Sequence, residues 1–118
     1  MSYSLGYDNG YKCLVCGKKY NLDEAMIAEW KCPTCGDYIR IAAPELASGH
    51  VKIRKKAQEL RQMDLVNLYG TDEIHCVLGI NEQPNGQLRI GLKEFGAIKV
   101  DKTEYIDIVD GAYYENNW

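Results

Sequence analysis

The sequence lacks any long apolar run, so no segment has the length needed to cross a bilayer as a helix. Its opening residues, 1–10, have neither a basic leader nor an apolar core, so no secretory signal is expected and a cytoplasmic protein is. No internal repeat or low-complexity tract is present. The hydrophobic and charged shares, 46% and 26%, are those of a folded soluble domain, which excludes disorder throughout. Histidine is scarce: His50 and His75 have no third partner at a telling spacing and are read as surface residues. Also missing are a phosphate-cradling loop, a nucleophile elbow, a metalloprotease helix and a paired acid–base constellation. These absences make binding rather than catalysis the default expectation, with neither a membrane nor a small-molecule substrate indicated.

What is present in quantity is paired cysteine. Cys13, Cys16, Cys32 and Cys35 form two pairs of two-residue spacing, fifteen residues apart, while Cys76 stands alone. In a reducing compartment such pairs hold metal more often than they form disulfides. Two residues between cysteines let one tight turn aim both sulfurs at a single point, and a second turn completes a tetrahedron. Gly17 and Gly36 follow the pairs, where the chain must curl back with a positive φ. Tyr11-Lys12-Cys13 and Lys18-Lys19-Tyr20 read as one pair of short strands, and Trp30-Lys31-Cys32 with Tyr38–Ile41 as another. Tyr11, Tyr20, Trp30 and Ile39 are the expected packing shell. A segment this small does not normally fold without a metal or disulfides.

Cys13-Leu-Val-Cys16-Gly17 and Cys32-Pro33-Thr-Cys35-Gly36 resemble the paired knuckles of zinc ribbons and of rubredoxins, over about residues 11–41. The resemblance implies structural zinc on all four cysteines. The alternative is iron, as in a rubredoxin-like electron carrier, because both metals accept tetrahedral thiolates. The fifteen-residue insert, shorter than that of a full-length rubredoxin, favours zinc. Four thiolates leave no open coordination position for hydrolysis.

Beyond the ribbon the pattern changes to alternation. Residues 50–61 read as a strand followed by a short helical turn at Ala57–Leu60, the alternative being a helix with Val51, Ala57 and Leu60 on one face and Ser48 as its N-cap. Val66 and Leu68 follow, then an expected inward stripe of Ile74, Cys76, Leu78 and Ile80 opposite His75, Val77 and Gly79. Cys76 would thus be buried and inert. Leu88, Ile90 and Leu92 oppose Arg89, Gly91 and Lys93, and Ile98, Val100, Ile106 and Ile108 complete the set. Pro84-Asn85-Gly86 predicts a hairpin, with further turns at Phe95-Gly96 and at 101–104. Residues 57–110 resemble the small five-stranded barrels of the Src-homology-3 kind, with Met63 where those families usually carry glycine before the aspartate. The expected fold is mainly β: an arm (1–10), a zinc ribbon (11–41), a linker (42–49), a small β-barrel (50–112) and a tail (113–118).

Charge is uneven. Residues 36–61 carry six basic against three acidic side chains, while residues 62–118 carry four against ten. The dense cluster Lys52, Arg54, Lys55, Lys56, extended by Lys18, Lys19 and Arg40, is the candidate nucleic-acid-binding set. The plainer reading is a solvated strand face neutralised by the acidic half. The function expected is a zinc-binding, non-enzymatic adaptor or regulator whose partner is nucleic acid or a nucleic-acid-handling protein. A structural accessory subunit of a larger enzyme and the iron carrier are the alternatives.

Overall fold

The computed structural model of the chain describes residues 8–43, 50–68 and 73–113. The predicted tail after 113, linker residues 44–49 and arm residues 1–7 lie outside them. The chain forms two compact units, one built on Leu5–Arg54 with the chain from Asp110, the other on Lys55–Val109.

In the first unit, β1 (Gly10–Lys12) pairs antiparallel with β2 (Lys19–Tyr20), setting Tyr11 opposite Tyr20. The fifteen-residue insert then forms a six-residue helix, α1 (Leu22–Ile27), which the sequence reading had not assigned. Its start is a capping box: the Glu24 amide donates to Asn21 Oδ1 at 2.8 Å and the Asn21 amide to Glu24 Oε1 at 3.0 Å. Ala25 faces inward, and the chain reverses through Glu29 and Trp30, both at positive φ. An isolated bridge joins Lys31 to Tyr38, and the Ile39 amide donates to the Trp30 carbonyl at 3.0 Å. Next, β3 (Arg40–Ala42) pairs with the free side of β1, and β4 (His50–Lys56) pairs with β3, Ile41 lying opposite Lys52. The strand order is β2-β1-β3-β4. Tyr11, Tyr20, Trp30 and Ile39 are buried together with Ile41, as the packing shell required.

The second unit begins with a 3-10 turn, Ala57–Glu59, where a helical turn was expected. It continues through β5 (Leu65–Asn67), β6 (Ile74–Glu82), β7 (Gln87–Leu92), β8 (Gly96–Asp101) and β9 (Tyr105–Tyr113). The order is β9-β5-β6-β7-β8, with antiparallel pairing throughout. Asn85 and Gly86 turn the β6–β7 hairpin, Gly86 at φ 82°. The core is Val66, Val77, Leu88, Ile90, Leu92, Val100, Ile106 and Ile108.

Two expectations are corrected here. The closed five-stranded barrel does not form; the sheet is open, and among the described residues β8 pairs with β7 alone. At the β8–β9 turn the carbonyls of Lys102 and Glu104 accept from the Gln58 and Ala57 amides of the 3-10 turn, at 3.0 and 2.8 Å, so the turn fills the place of a closing ladder. The second correction concerns β6. Its register shifts between Val77 and Gly79, so Val77 (opposite Leu92) and Ile80 (opposite Ile90) both face the core across an interval of three. Val77 is buried and Leu78 is 53% exposed, the reverse of the predicted stripe. Cys76 is therefore only half-buried, with its Sγ 3.9 Å from Met63 Sδ. His75 lies on the face of its register partner Val66, its ring centroid 5.1 Å from that of Phe95 and its Nδ1 2.9 Å from the Lys93 carbonyl oxygen.

Met63 occupies φ 79° in a turn closed by the Asp64 amide donating to the Arg61 carbonyl at 3.2 Å. A left-handed non-glycine residue is strained by roughly 1–2 kcal/mol, and glycine returns part of that relief as chain entropy. Because Met63 is 71% exposed, little packing is lost on its removal. Met63→Gly is expected to raise the thermal midpoint by a few degrees, corresponding to about 0.5–1 kcal/mol, in a calorimetric scan.

Candidate metal centre

The ribbon brings its four cysteines to one point by backbone geometry alone. In each knuckle the first cysteine's carbonyl accepts from the following glycine: Gly17 to Cys13 and Gly36 to Cys32, both 2.8 Å. The same cysteines donate across the turn, Cys13 to the Lys18 carbonyl at 2.9 Å and Cys32 to that of Asp37 at 2.7 Å. Gly17 and Gly36 take φ of 74° and 77°, the positive angles that the curl demands. All four sulfurs lie within 4.8 Å of one another, with Cys13–Cys35 at 3.5 Å and Cys16–Cys32 at 3.9 Å. A tetrahedron with metal–sulfur bonds of about 2.3 Å has edges of about 3.8 Å. The donor set therefore fits one tetrahedral thiophilic ion without rearrangement of the backbone.

Electrostatics agree. The Tyr20 hydroxyl lies 3.2 Å from Cys32 Sγ. That hydrogen bond, with backbone amides of the second knuckle, lowers the Cys32 thiol to about 6. Cys16 is pushed up to about 12, first by its hydrogen bond with Cys35 and then by burial and the other sulfurs. Hydrogen bonds to and among the crowded sulfurs drive one thiol down and another up, and a cation bound among them would favour the thiolate of each. Tyr20→Phe deletes the side-chain donor to Cys32, so protons compete better for that sulfur. The variant is expected to lose metal at a higher pH on acidification, with affinity about tenfold lower, read from the thiolate charge-transfer band of the cobalt-substituted protein.

The seven basic candidates do not assemble into one surface. Lys52 and Arg54 alternate with Val51 and Ile53 on β4, and all four are buried. Their charges meet Asp8: Lys52 Nζ lies 3.1 Å from Oδ1, and the Arg54 guanidinium donates to both oxygens at 2.8 and 2.9 Å. The same guanidinium sits 4.4 Å above the Trp30 ring. Buried in this way, Lys52 and Arg54 do not share an exposed face with Lys18 and Lys19. Arg40 bonds Asp37, Asp110 and the Tyr38 carbonyl, and Lys55 pairs with Asp64 at 3.1 Å. Lys56 lies over the Tyr105 ring. Lys18 and Lys19 are exposed, Lys18 over the Tyr20 ring. No α-helix among the described residues is long and apolar enough to cross a membrane.

Searches against protein families, curated protein sequences and solved structures return no significant match.

Proposed function

We propose that the chain is a zinc-binding, non-enzymatic adaptor of a reducing, cytoplasmic setting, whose partner is nucleic acid or a nucleic-acid-handling protein. The observation that carries the metal half is the convergence of the sulfurs of Cys13, Cys16, Cys32 and Cys35 to tetrahedral spacing on two glycine-terminated knuckles. Zinc is favoured over iron because the insert between the knuckles is shorter than that of a full-length rubredoxin, and the ion serves to organise the segment. The reducing setting is supported by thiols that are all free of disulfides among the described residues. The adaptor half rests on the absence of a catalytic constellation in the sequence.

Elemental analysis of the purified protein tests the first half: one equivalent of zinc and a colourless solution are expected. A red, iron-loaded protein would replace this reading with that of an electron carrier. A protein free of bound metal would remove it.

A further inference from the structure

The four sulfurs of the ribbon are alike as metal ligands but not as nucleophiles. Cys13 and Cys32, the first cysteines of the two knuckles, are buried, whereas Cys16 and Cys35 are exposed. A reagent arriving from solvent therefore meets the outer pair first. Hydrogen bonds divide the sulfurs further. Cys13 Sγ accepts from the Cys16 amide at 3.4 Å. Cys32 Sγ has the Tyr20 hydroxyl at 3.2 Å and the amides of Thr34 and Cys35. Cys35 Sγ accepts from the Asp37 amide. At Cys16 the partners are the other three sulfurs, with Cys32 Sγ at 3.9 Å.

This asymmetry has a chemical consequence. A donor aimed at a thiolate disperses its charge, and a thiolate made less basic is a weaker nucleophile. Metal binding removes the thiol protons, so the sulfur partners of Cys16 cease to be donors once the ion is in place. Cys16 is then held as a thiolate, exposed, and with its charge the least dispersed of the four. Its neighbours give no cover: Val15 is exposed, and a Cβ built on Gly17 would meet nothing within 4 Å. Cys76, half-buried in the second unit, is outside the four-sulfur cluster.

We propose that Cys16 is an oxidant-sensing site, the thiolate that reacts first with hydrogen peroxide, and that Cys35 resolves the product into a disulfide joining the knuckles. In the first step Cys16 Sγ attacks a peroxide oxygen. The S–O bond forms as the O–O bond breaks, giving a sulfenic acid and hydroxide. The Cys35 thiolate then attacks Cys16 Sγ, the S–S bond forms, and the S–O bond breaks to release a second hydroxide. The two electrons lost by sulfur are those that reduce the peroxide. Cys35 is the resolving residue because it is the other exposed sulfur and the foremost hydrogen-bond partner of Cys16. The disulfide withdraws two of the four ligands, so the ion leaves and the ribbon loses what organises it. Reduction by a thiol, with zinc present, restores it. This inference rests on the metal reading above and gives that site a regulatory chemistry.

The test uses the full chain, with its zinc content first established by elemental analysis. Brief treatment with hydrogen peroxide is followed by alkylation of the remaining thiols in denaturant and peptide mass mapping. Zinc release is followed with a chromophoric chelator. A Cys16–Cys35 disulfide is expected as the first product, formed in step with zinc release and reversed by dithiothreitol and added zinc. Cys16→His retains a tetrahedral donor set of three thiolates and an imidazole, so zinc should stay bound and peroxide should release it about tenfold more slowly. Cys35→His should accumulate the Cys16 sulfenic acid, trapped as its dimedone adduct. Cys76→Ser should respond as the parent does. First oxidation at any other cysteine, or undiminished release from zinc-loaded Cys16→His, would overturn the site; the mapping decides this on the parent even if that variant fails to hold zinc. A first disulfide from Cys16 to Cys13 or Cys32 would overturn the role of Cys35. A zinc-loaded parent that keeps its zinc in excess peroxide would overturn this inference and leave the metal reading intact, whereas a parent without bound metal would overturn both.

Discussion

Cys32→Ser is expected to abolish metal retention and unfold the ribbon. Cys32 is 1% exposed, is the sulfur bonded to Tyr20, and begins the second knuckle through its amide and carbonyl. The shell around it is small: Tyr11, Tyr20, Trp30, Ile39 and Ile41, one six-residue helix, and β1 to β3 of two or three residues each. Such a segment has too little apolar area to offset its chain entropy, and a structural zinc contributes on the order of 10 kcal/mol to folds of this type. Chelation should produce the same result in the parent. Trp30, 2% exposed in the folded ribbon, supplies the reading, because its fluorescence should shift to the red as it meets water. A ribbon that kept its amide-exchange protection after complete chelation would show that packing alone holds it. Val15→Ser, at a knuckle tip 69% exposed, should change neither property and controls for substitution within the site.

The metal centre was legible because its information is local. Spacing, the following glycines and the aromatic flanks all lie within a few residues of each sulfur, and each has a direct geometric consequence. The helix at Leu22–Ile27 was not assigned: Asn21 and Glu24, three residues apart, carry its start signal, but so short a helix has too few turns to display periodicity. In the second unit alternation identified the strands of β7 and β8 and their core faces. It failed on β6, where an extra residue between Val77 and Gly79 inverts the inside–outside assignment; a bulge depends on the neighbouring strand and leaves no mark of its own in a single sequence. Closure was misjudged for a similar reason. Five short strands with tight turns are compatible with a barrel or an open sheet, and the difference lies in which backbone groups the turn at Ala57–Glu59 takes. Met63 was informative in a different way: the glycine expected before Asp64 marks a position that does adopt a positive φ, occupied here by a residue that tolerates it poorly.

The basic cluster on β4 shows the limit of reading charge along a chain, and Asp8 is where that limit is tested. Lys52 and Arg54 are fully buried, and Asp8 is the carboxylate both reach, with the Tyr11 hydroxyl donating to it as well at 2.6 Å. Nothing near Asp8 in sequence distinguishes it, since its partner Arg54 lies 46 residues away. Tyr11 stays protonated well above its ordinary range, because burial and then the bond to Asp8 both disfavour the phenolate. Removing the carboxylate therefore leaves two buried cations and a phenol without their common acceptor. Asp8→Ala is expected to destabilise the metal-loaded protein by roughly 3–5 kcal/mol, the range for breaking one side of a buried ion pair. A surface ion pair would give less than about 1 kcal/mol, so denaturant titration separates the two cases. Lys52→Met should be milder, because Arg54 still satisfies both oxygens of Asp8. If Asp8→Ala proved neutral, the inward placement of Lys52 and Arg54 would be wrong, and the β4 cluster would return as a candidate surface for an anionic partner.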